Sequence, residues 1–471
     1  MPQFRADLLQ SPERGRIERI SDALVSVDGN GMITCVAPYD ATQTQDDIID
    51  LRGQGVLIPG LVDLHIHAPQ FPQLGTALDV PLEDWLQRYT FPLEARYADL
   101  DFATEVYGAL VARLLAGGTT TAVYFATIHG PASLRLAEIC VELGQRALVG
   151  RVAMDDPDGC PDYYRDSDAQ AAIKDTADFI DAVRAIPNNT LVEAAITPRF
   201  IPACSDAALK GLGKLAAETG APVQTHCSES DWEHQFVLDR CGMSDTRALD
   251  SFGLLTRRTV LAHAGFIDDD DINLIYERGA GIAHCPLSNT YFANAAFPLR
   301  RALEKSVRVG LGTDISGGPS AFLLDNARAA VATSRMLETG TDPSTQQDTR
   351  GVADSRVDFR DAFWLATSGG ADVLDLPVGL LAPERQFDAV LVDLPDTDLL
   401  FRLFNAQALH IQESRPLTDS CRCSDDKVYS MLKSLSEEQL RDLVDETQNL
   451  SVECEFCKRK RIHSLGDILQ A

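Results

Sequence analysis

Pro59-Gly60-Leu61-Val62-Asp63-Leu64-His65-Ile66-His67 opens the repetitive part of this 471-residue chain. The apolar run reads as a short buried strand, and histidines at i and i+2 on a strand point to one face. Paired imidazoles at a strand end read as half of a metal site; the bland alternative is a buried structural histidine. Seven further apolar segments follow at 119–125, 147–154, 191–196, 222–225, 259–262, 281–283 and 307–312. Amphipathic stretches separate them. The stretch 132–144 carries Leu134, Ala137 and Val141 on one stripe and ends in Gly144, while 206–220 has Ser205 as its N-cap and Gly220 as its stop. Strand then helix, eight times over, is the rhythm of an α/β fold of the (β/α)8 TIM-type barrel class. A doubly wound sheet is the alternative.

The other strand ends carry matching chemistry. His226 ends the fifth segment, His263 the sixth and Asp314 the eighth, in Gly310-Leu311-Gly312-Thr313-Asp314. Barrel enzymes keep their sites at the C-terminal face, so ligand-type residues at the ends of four strands point to a divalent metal, zinc or iron, with a position left for water. The fourth segment ends in Thr197-Pro198-Arg199-Phe200, with no carboxylate or lysine to bridge two ions. One catalytic metal is therefore expected. Glu229, three residues past His226, is placed to move protons between water and a leaving group, or else is a surface residue opening the next helix.

Before the barrel, residues 23–27 and 32–36 read as strands joined by the turn Asp28-Gly29-Asn30-Gly31, and after it residues 387–393 read as another strand. The expected organisation is a small β-sandwich unit at 1–57 completed by about 378–398, a barrel at 58–377, a linker at 399–416 and a separate module at 417–471.

Seventy acidic residues against 42 basic ones leave a net charge of −28. Such a surface repels phosphate backbones and anionic lipid, so neither nucleic acid nor membrane is an expected partner. The first residues lack the order of a secretory signal, and the expected location is cytoplasmic. Cys35, Cys140, Cys160, Cys204, Cys227, Cys241 and Cys285 are scattered, mostly within apolar segments, and read as buried reduced thiols.

Taken together, these residues resemble the amidohydrolase superfamily and, within it, the guanine deaminases, over residues 10 to 395. The specific motifs are His67-Ala68-Pro69-Gln70, the stretch from Pro81-Leu82-Glu83-Asp84-Trp85-Leu86 through Tyr89-Thr90-Phe91-Pro92-Leu93-Glu94-Ala95-Arg96, Thr197-Pro198-Arg199-Phe200, and Gly312-Thr313-Asp314-Ile315-Ser316-Gly317-Gly318. The resemblance implies His65, His67, His226 and Asp314 as zinc ligands, with His263 beside the metal as a polarising group. It implies Gln70 and Arg199 at the edge of a purine, with Phe200, His226 and Glu229 also against it, and Glu229, Asp314 and His263 in catalytic roles. Guanine is the implied substrate, with another purine-like ring or a pterin as the alternative, and a homodimer is implied. His284, at the end of the seventh segment, is placed just outside the ligand set. Arg199 has a second reading, an ion pair closing the barrel. A different class of reading is a redox-regulated binding protein with an inactive barrel.

The last residues depart from that family. Ser420-Cys421-Arg422-Cys423 and Val452-Glu453-Cys454-Glu455-Phe456-Cys457 flank a helical stretch that opens with the capping pattern Ser436-Glu437-Glu438-Gln439. Cys421, Cys423, Cys454 and Cys457 supply four thiolates for a second, tetrahedral zinc, with two disulfides as the alternative. This segment resembles the C-terminal zinc domain of the redox-regulated heat-shock holdase chaperone.

Overall fold

The computed structural model describes residues 2–42, 48–393, 425–433, 435, 437–444, 448–453 and 460–469. The chain divides into two compact units, residues 1–409 and 410–471. The larger begins with β1 (Gln3–Gln10), β2 (Glu18–Val27), β3 (Ile33–Pro38), β4 (Ile48–Asp50) and β5 (Val56–Pro59). The expected small sandwich is hydrogen-bonded as one six-stranded sheet that branches at β1: β4 pairs with Gln3 to Arg5, and β5 pairs with Asp7 and Leu8. β1 itself was not foreseen, because its apolar residues lie next to Arg5 and Asp7 in a mixed pattern. The strand expected at 387–393 forms as the last strand of this unit, Ala389–Val392, antiparallel to β5. Leu8, Val25, Val27, Ile33 and Leu57 form its core.

The barrel strands follow in order: β6 (Leu61–His67), β7 (Thr119–Phe125), β8 (Arg146–Gly150), β9 (Val152–Ala153), β10 (Val192–Ala194), β11 (Thr197–Pro198), β12 (Val223–Cys227), β13 (Thr259–His263), β14 (Gly281–His284) and β15 (Arg308–Leu311); the post-barrel strand is β16. All pairings inside the barrel are parallel. Two of the expected strands are broken in two, at Arg151 and after Ala194. Arg151, at the first of these breaks, is buried and its guanidinium is bonded to Asp166. The circle closes where Asp314 N donates to His65 O (2.8 Å) and His67 N to Ile315 O (2.8 Å). On the other side Ile196 N donates to Pro222 O (2.8 Å) and Gln224 N to Ile196 O (3.0 Å).

The helices start where the chain offers a side-chain acceptor. Ser205 caps Asp206–Thr219 by accepting from Ala208 N, and Gly220 ends it at φ 66°, a left-handed conformation that glycine adopts without penalty. Gly130–Leu143 ends on Gly144 in the same way. Asp99, Asp168, Asp268 and Asp358 cap four more helices, which places part of the acidic excess against helix N-termini. No helix among the described residues is long and apolar enough to cross a membrane.

The smaller unit contains helices Asp425–Lys433, Glu437–Asp442 and Leu465–Leu469 and a two-stranded antiparallel sheet of β17 (Asn449–Glu453) and β18 (Lys460–Ser464). Val428, Leu432, Leu440, Leu450, Leu465 and Ile468 are its core. Cys421, Cys423, Cys454 and Cys457 lie outside the described residues. Of the seven scattered cysteines, five are buried; Cys35 is exposed and Cys241 half-buried, because both sit at the solvent side of their elements. All seven are free thiols.

Candidate active site

β6 delivers His65 and His67 to the barrel mouth as its alternation requires, β12 and β13 add His226 and His263, and Asp314 stands three residues past the end of β15. Nε2 of His67 and Nε2 of His226 lie 2.9 Å apart. Nε2 of His65 is 3.2 Å and Nε2 of His67 3.6 Å from Oδ1 of Asp314. His263 Nε2 sits 3.7 Å from Oε1 of Glu229 and 3.9 Å from Oδ2 of Asp314. Every one of these residues is buried.

The backbone is held in unusual conformations here. Ser228 (φ 44°), His263 (φ 71°), Ala264 (φ 50°) and Asp314 (φ 49°) are left-handed without being glycine, each at or within three residues of a strand end. Such conformations cost about 1–3 kcal/mol each and persist only where the surrounding structure imposes them.

The donors fit a divalent metal. Nε2 of His65 and Nε2 of His263 are buried without a hydrogen-bond partner. His65, His67 and His226 offer donor atoms within 4.8 Å of one another, as do His65, His263 and Asp314, and His226, Glu229 and His263. Burial, reinforced by His65, holds His67 and His226 well below the usual imidazole range, which leaves them as neutral lone-pair donors. Burial also lowers His263. At Asp314 burial opposes ionisation, but the neighbouring imidazoles, His65 foremost, outweigh it and hold the carboxyl well down.

The rings are oriented from behind. His226 Nδ1 donates to the backbone oxygen of Arg199 (2.6 Å), and His263 Nδ1 donates to Oδ1 of Asn289 (2.9 Å), which turns both Nε2 atoms inward. Asp63, buried within β6, accepts from Thr313 N (3.0 Å) and Thr313 Oγ1 (2.6 Å) and ties that strand to the segment following β15. His284 is buried against Phe297 at the seventh strand end, and burial lowers it to about 3.

Glu229 is buried, not the surface residue that its spacing also allowed, and the following helix begins only at Asp231. Burial, then the proximity of Asp314, pushes its carboxyl up to about 8. Its backbone N donates to Oε2 of Glu233 (2.7 Å). Ser228 N donates to Oδ1 of Asp245 (3.1 Å), whose Oδ2 binds His234 Nδ1 (2.8 Å), so the segment that carries Glu229 is anchored to a third element.

A cavity opens onto this centre. His67, His226, Glu229 and Asp314 form its inner end; Gln70 and Arg199 form one side; Leu82, Trp85, Leu86, Phe200 and Phe292 are its apolar walls. A flat ring fits such walls, and the polar side fixes its orientation. Arg199 lines the cavity, and its guanidinium is paired with Glu94, through NH1 to Oε2 (2.7 Å) and NH2 to Oε1 (3.2 Å), as the ion-pair reading expected. Gln70 Nε2 donates to the same Oε1 (2.9 Å), and Ser316 N donates to Gln70 Oε1 (3.2 Å).

The structure thus brings together every residue expected at the barrel mouth. Sequence reasoning assigned no role to Glu94, Asn289 or Glu233. For Glu94 a signal existed, since a buried arginine requires a buried counter-charge.

Comparisons with known proteins agree with this geometry. A family model described as the amidohydrolase family matches residues 56–431. The chain is 38% identical over 410 residues to a probable guanine deaminase of Schizosaccharomyces pombe, covering 83% of this chain and 75% of that protein. It is 36% identical to the guanine deaminase of Homo sapiens, covering 85% and 88%. Among solved structures, guanine deaminase from C. acetobutylicum with guanine bound in its active site matches with a TM-score of 0.77 at 31% identity, covering 84% and 91% of the two chains. An adenosine deaminase from Xanthomonas campestris with bound zinc matches with a TM-score of 0.71 at 25% identity, covering 87% of each.

Proposed function

The chain belongs to the amidohydrolase family, and from that footing we propose that it is a zinc-dependent guanine deaminase, converting guanine and water to xanthine and ammonia. The observation that carries the reading is one cavity that joins an inward-facing cluster of histidines and carboxylates to the Gln70 and Arg199 pair. Its likeness to guanine deaminases over more than four-fifths of its length supports the choice of ring.

His65, His67, His226 and Asp314 would hold the ion, and zinc bound there supplies Lewis-acid chemistry that lowers the pKa of water to about 7. The protein's own groups do the rest. The guanidinium of Arg199 donates to the ring oxo group and the amide of Gln70 meets the same edge, so the carbon that bears the amino group faces the inner end. The apolar walls exclude bulk water from both faces of the ring. As water oxygen bonds to that carbon, the carboxylate of Glu229 takes the water's proton and delivers it to the adjacent ring nitrogen. Glu229 then takes the proton of the hydroxyl now on that carbon and passes it to the amine, so that the oxo group forms as the carbon–nitrogen bond breaks and ammonia leaves. His263, fixed by Asn289 through its Nδ1–H, turns the lone pair of Nε2 inward to accept a hydrogen bond from the attacking water, and Asp314 stays ionised beside it.

Incubation with guanine, 8-oxoguanine and a pterin, followed by ammonia release, tests the choice of ring. Guanine is expected to be turned over fastest, and faster ammonia release from either of the others would replace it. For residues 417–471 the four cysteines support a second, structural or redox-responsive zinc, which predicts about two zinc ions per reduced chain against one if these thiolates bind none.

A further inference from the structure

Glu94 lies on the short helix Phe91–Ala95, away from the reacting centre, and its side chain is fully buried. Its two oxygens are shared among the groups that face the ring: Oε2 accepts from Arg199 NH1 (2.7 Å), while Oε1 accepts from both Arg199 NH2 (3.2 Å) and Gln70 Nε2 (2.9 Å). The Phe91 ring lies 4.9 Å below the guanidinium. A bidentate pair of this kind fixes the guanidinium plane as well as its position.

The consequence for Gln70 is stricter. Its Oε1 accepts from Ser316 N (3.2 Å), so turning the amide over would set an N–H against the Ser316 N–H and an oxygen against the Glu94 carboxylate. Both contacts would be repulsive, and only one orientation survives. With Glu94 absorbing the inward donors, Arg199 has only further N–H groups to offer a ligand, and Gln70 offers its second N–H beside them.

We propose that Glu94 is a specificity-setting positioning residue, which clasps Arg199 and fixes the amide of Gln70 so that this side of the pocket donates hydrogen bonds and selects rings carrying an oxo group there over rings that lack it. The proposal rests on the deaminase reading above. An amino group at the same ring position would meet donors with a donor, and a bare carbon would leave buried donors unpaired; each is disfavoured.

The test uses hypoxanthine and purine as competitive inhibitors of guanine turnover by the intact metal-loaded protein. The two rings differ by one oxo group, and neither has an amino group to lose. In the wild type, hypoxanthine is expected to inhibit on the order of tenfold to a hundredfold more strongly than purine. In Glu94→Gln that preference should fall towards parity, while inhibition by purine changes less than about threefold. A role limited to stability would move both inhibitors together, and an unchanged preference or a joint shift overturns the proposal while leaving the deaminase reading intact. Absence of ammonia release from guanine by the wild type overturns both.

Should Glu94→Gln fail to fold because Arg199 is left unpaired, the double variant Glu94→Gln with Arg199→Met removes both charges. It is expected to be inhibited about equally by hypoxanthine and purine, and a preserved wild-type preference in it overturns the proposal.

Discussion

The backbone oxygen of Arg199 lies 2.6 Å from Nδ1 of His226, so the residue whose guanidinium lines the pocket also orients, through its main chain, a histidine of the metal-binding cluster. The end of β11 and the end of β12 are joined at the point where recognition and chemistry meet. The side chain and the carbonyl of Arg199 serve different partners, and substitution separates them.

Arg199→Lys keeps a charge against Glu94 and leaves the carbonyl in place, but loses the planar fork. Bound metal per chain should stay at the wild-type level while KM for guanine rises about tenfold or more. His226→Ala should lose both the metal and the activity. Metal analysis beside steady-state kinetics reads the difference.

Asn289 reaches the site through its hydrogen bond with His263. Asn289→Ala removes the acceptor at 2.9 Å that holds the ring. A loss of about 10–100-fold in kcat is expected, the size found when partners behind a working histidine are removed. Unchanged kcat would show that the ring needs no such support.

Gly312 sits between the seventh strand and the first. A Cβ there would lie 2.8 Å from Cys285 Sγ and 2.8 Å from His65 Cβ. Gly312→Ala should therefore destabilise by about 1–3 kcal/mol through overpacking and weaken metal binding by displacing His65. Gly29, with nothing within 4 Å of its Cβ position, is the control: Gly29→Ala should leave metal affinity unchanged. Thermal unfolding and metal titration measure both.

The His234–Asp245 pair anchors the segment that carries Glu229. The hydrogen bond that His234 Nδ1 donates to Asp245 raises the pKa of His234 above the free imidazole value, with partial burial opposing it. A histidine raised on folding contributes stability that is fully present below its unfolded pKa and is lost as pH rises through the folded one. Between about pH 6 and about pH 9 the melting temperature of the wild type should thus fall relative to that of His234→Gln, which does not titrate. Parallel curves would show that the pair contributes no pH-dependent stability.

Most of the barrel was legible because two periodicities are written plainly in it. Alternation puts His65 and His67 on one face of β6, and the Ser205 cap with the Gly220 stop frames its helix to within a residue. The ligand-type residues were legible because they stand at strand ends. Glu94 was not, because its partners Gln70 and Arg199 lie 24 and 105 residues away, and no local pattern records a contact across the barrel mouth. The break at Arg151 was hidden for the same reason: a buried guanidinium at a strand break looks, in sequence, like one polar residue in an apolar run. β1 escaped notice because β4 and β5 share its far edge, so its burial alternates unevenly.

The central claim is that one metal-bearing barrel hydrolyses guanine. Its most direct test is to follow xanthine and ammonia from guanine with the purified chain, after chelation and after zinc is returned. Equimolar xanthine and ammonia, lost on removal of the metal and restored by zinc, is the result expected. Turnover that persists in metal-free protein, or zinc-loaded protein that forms no xanthine, would contradict it.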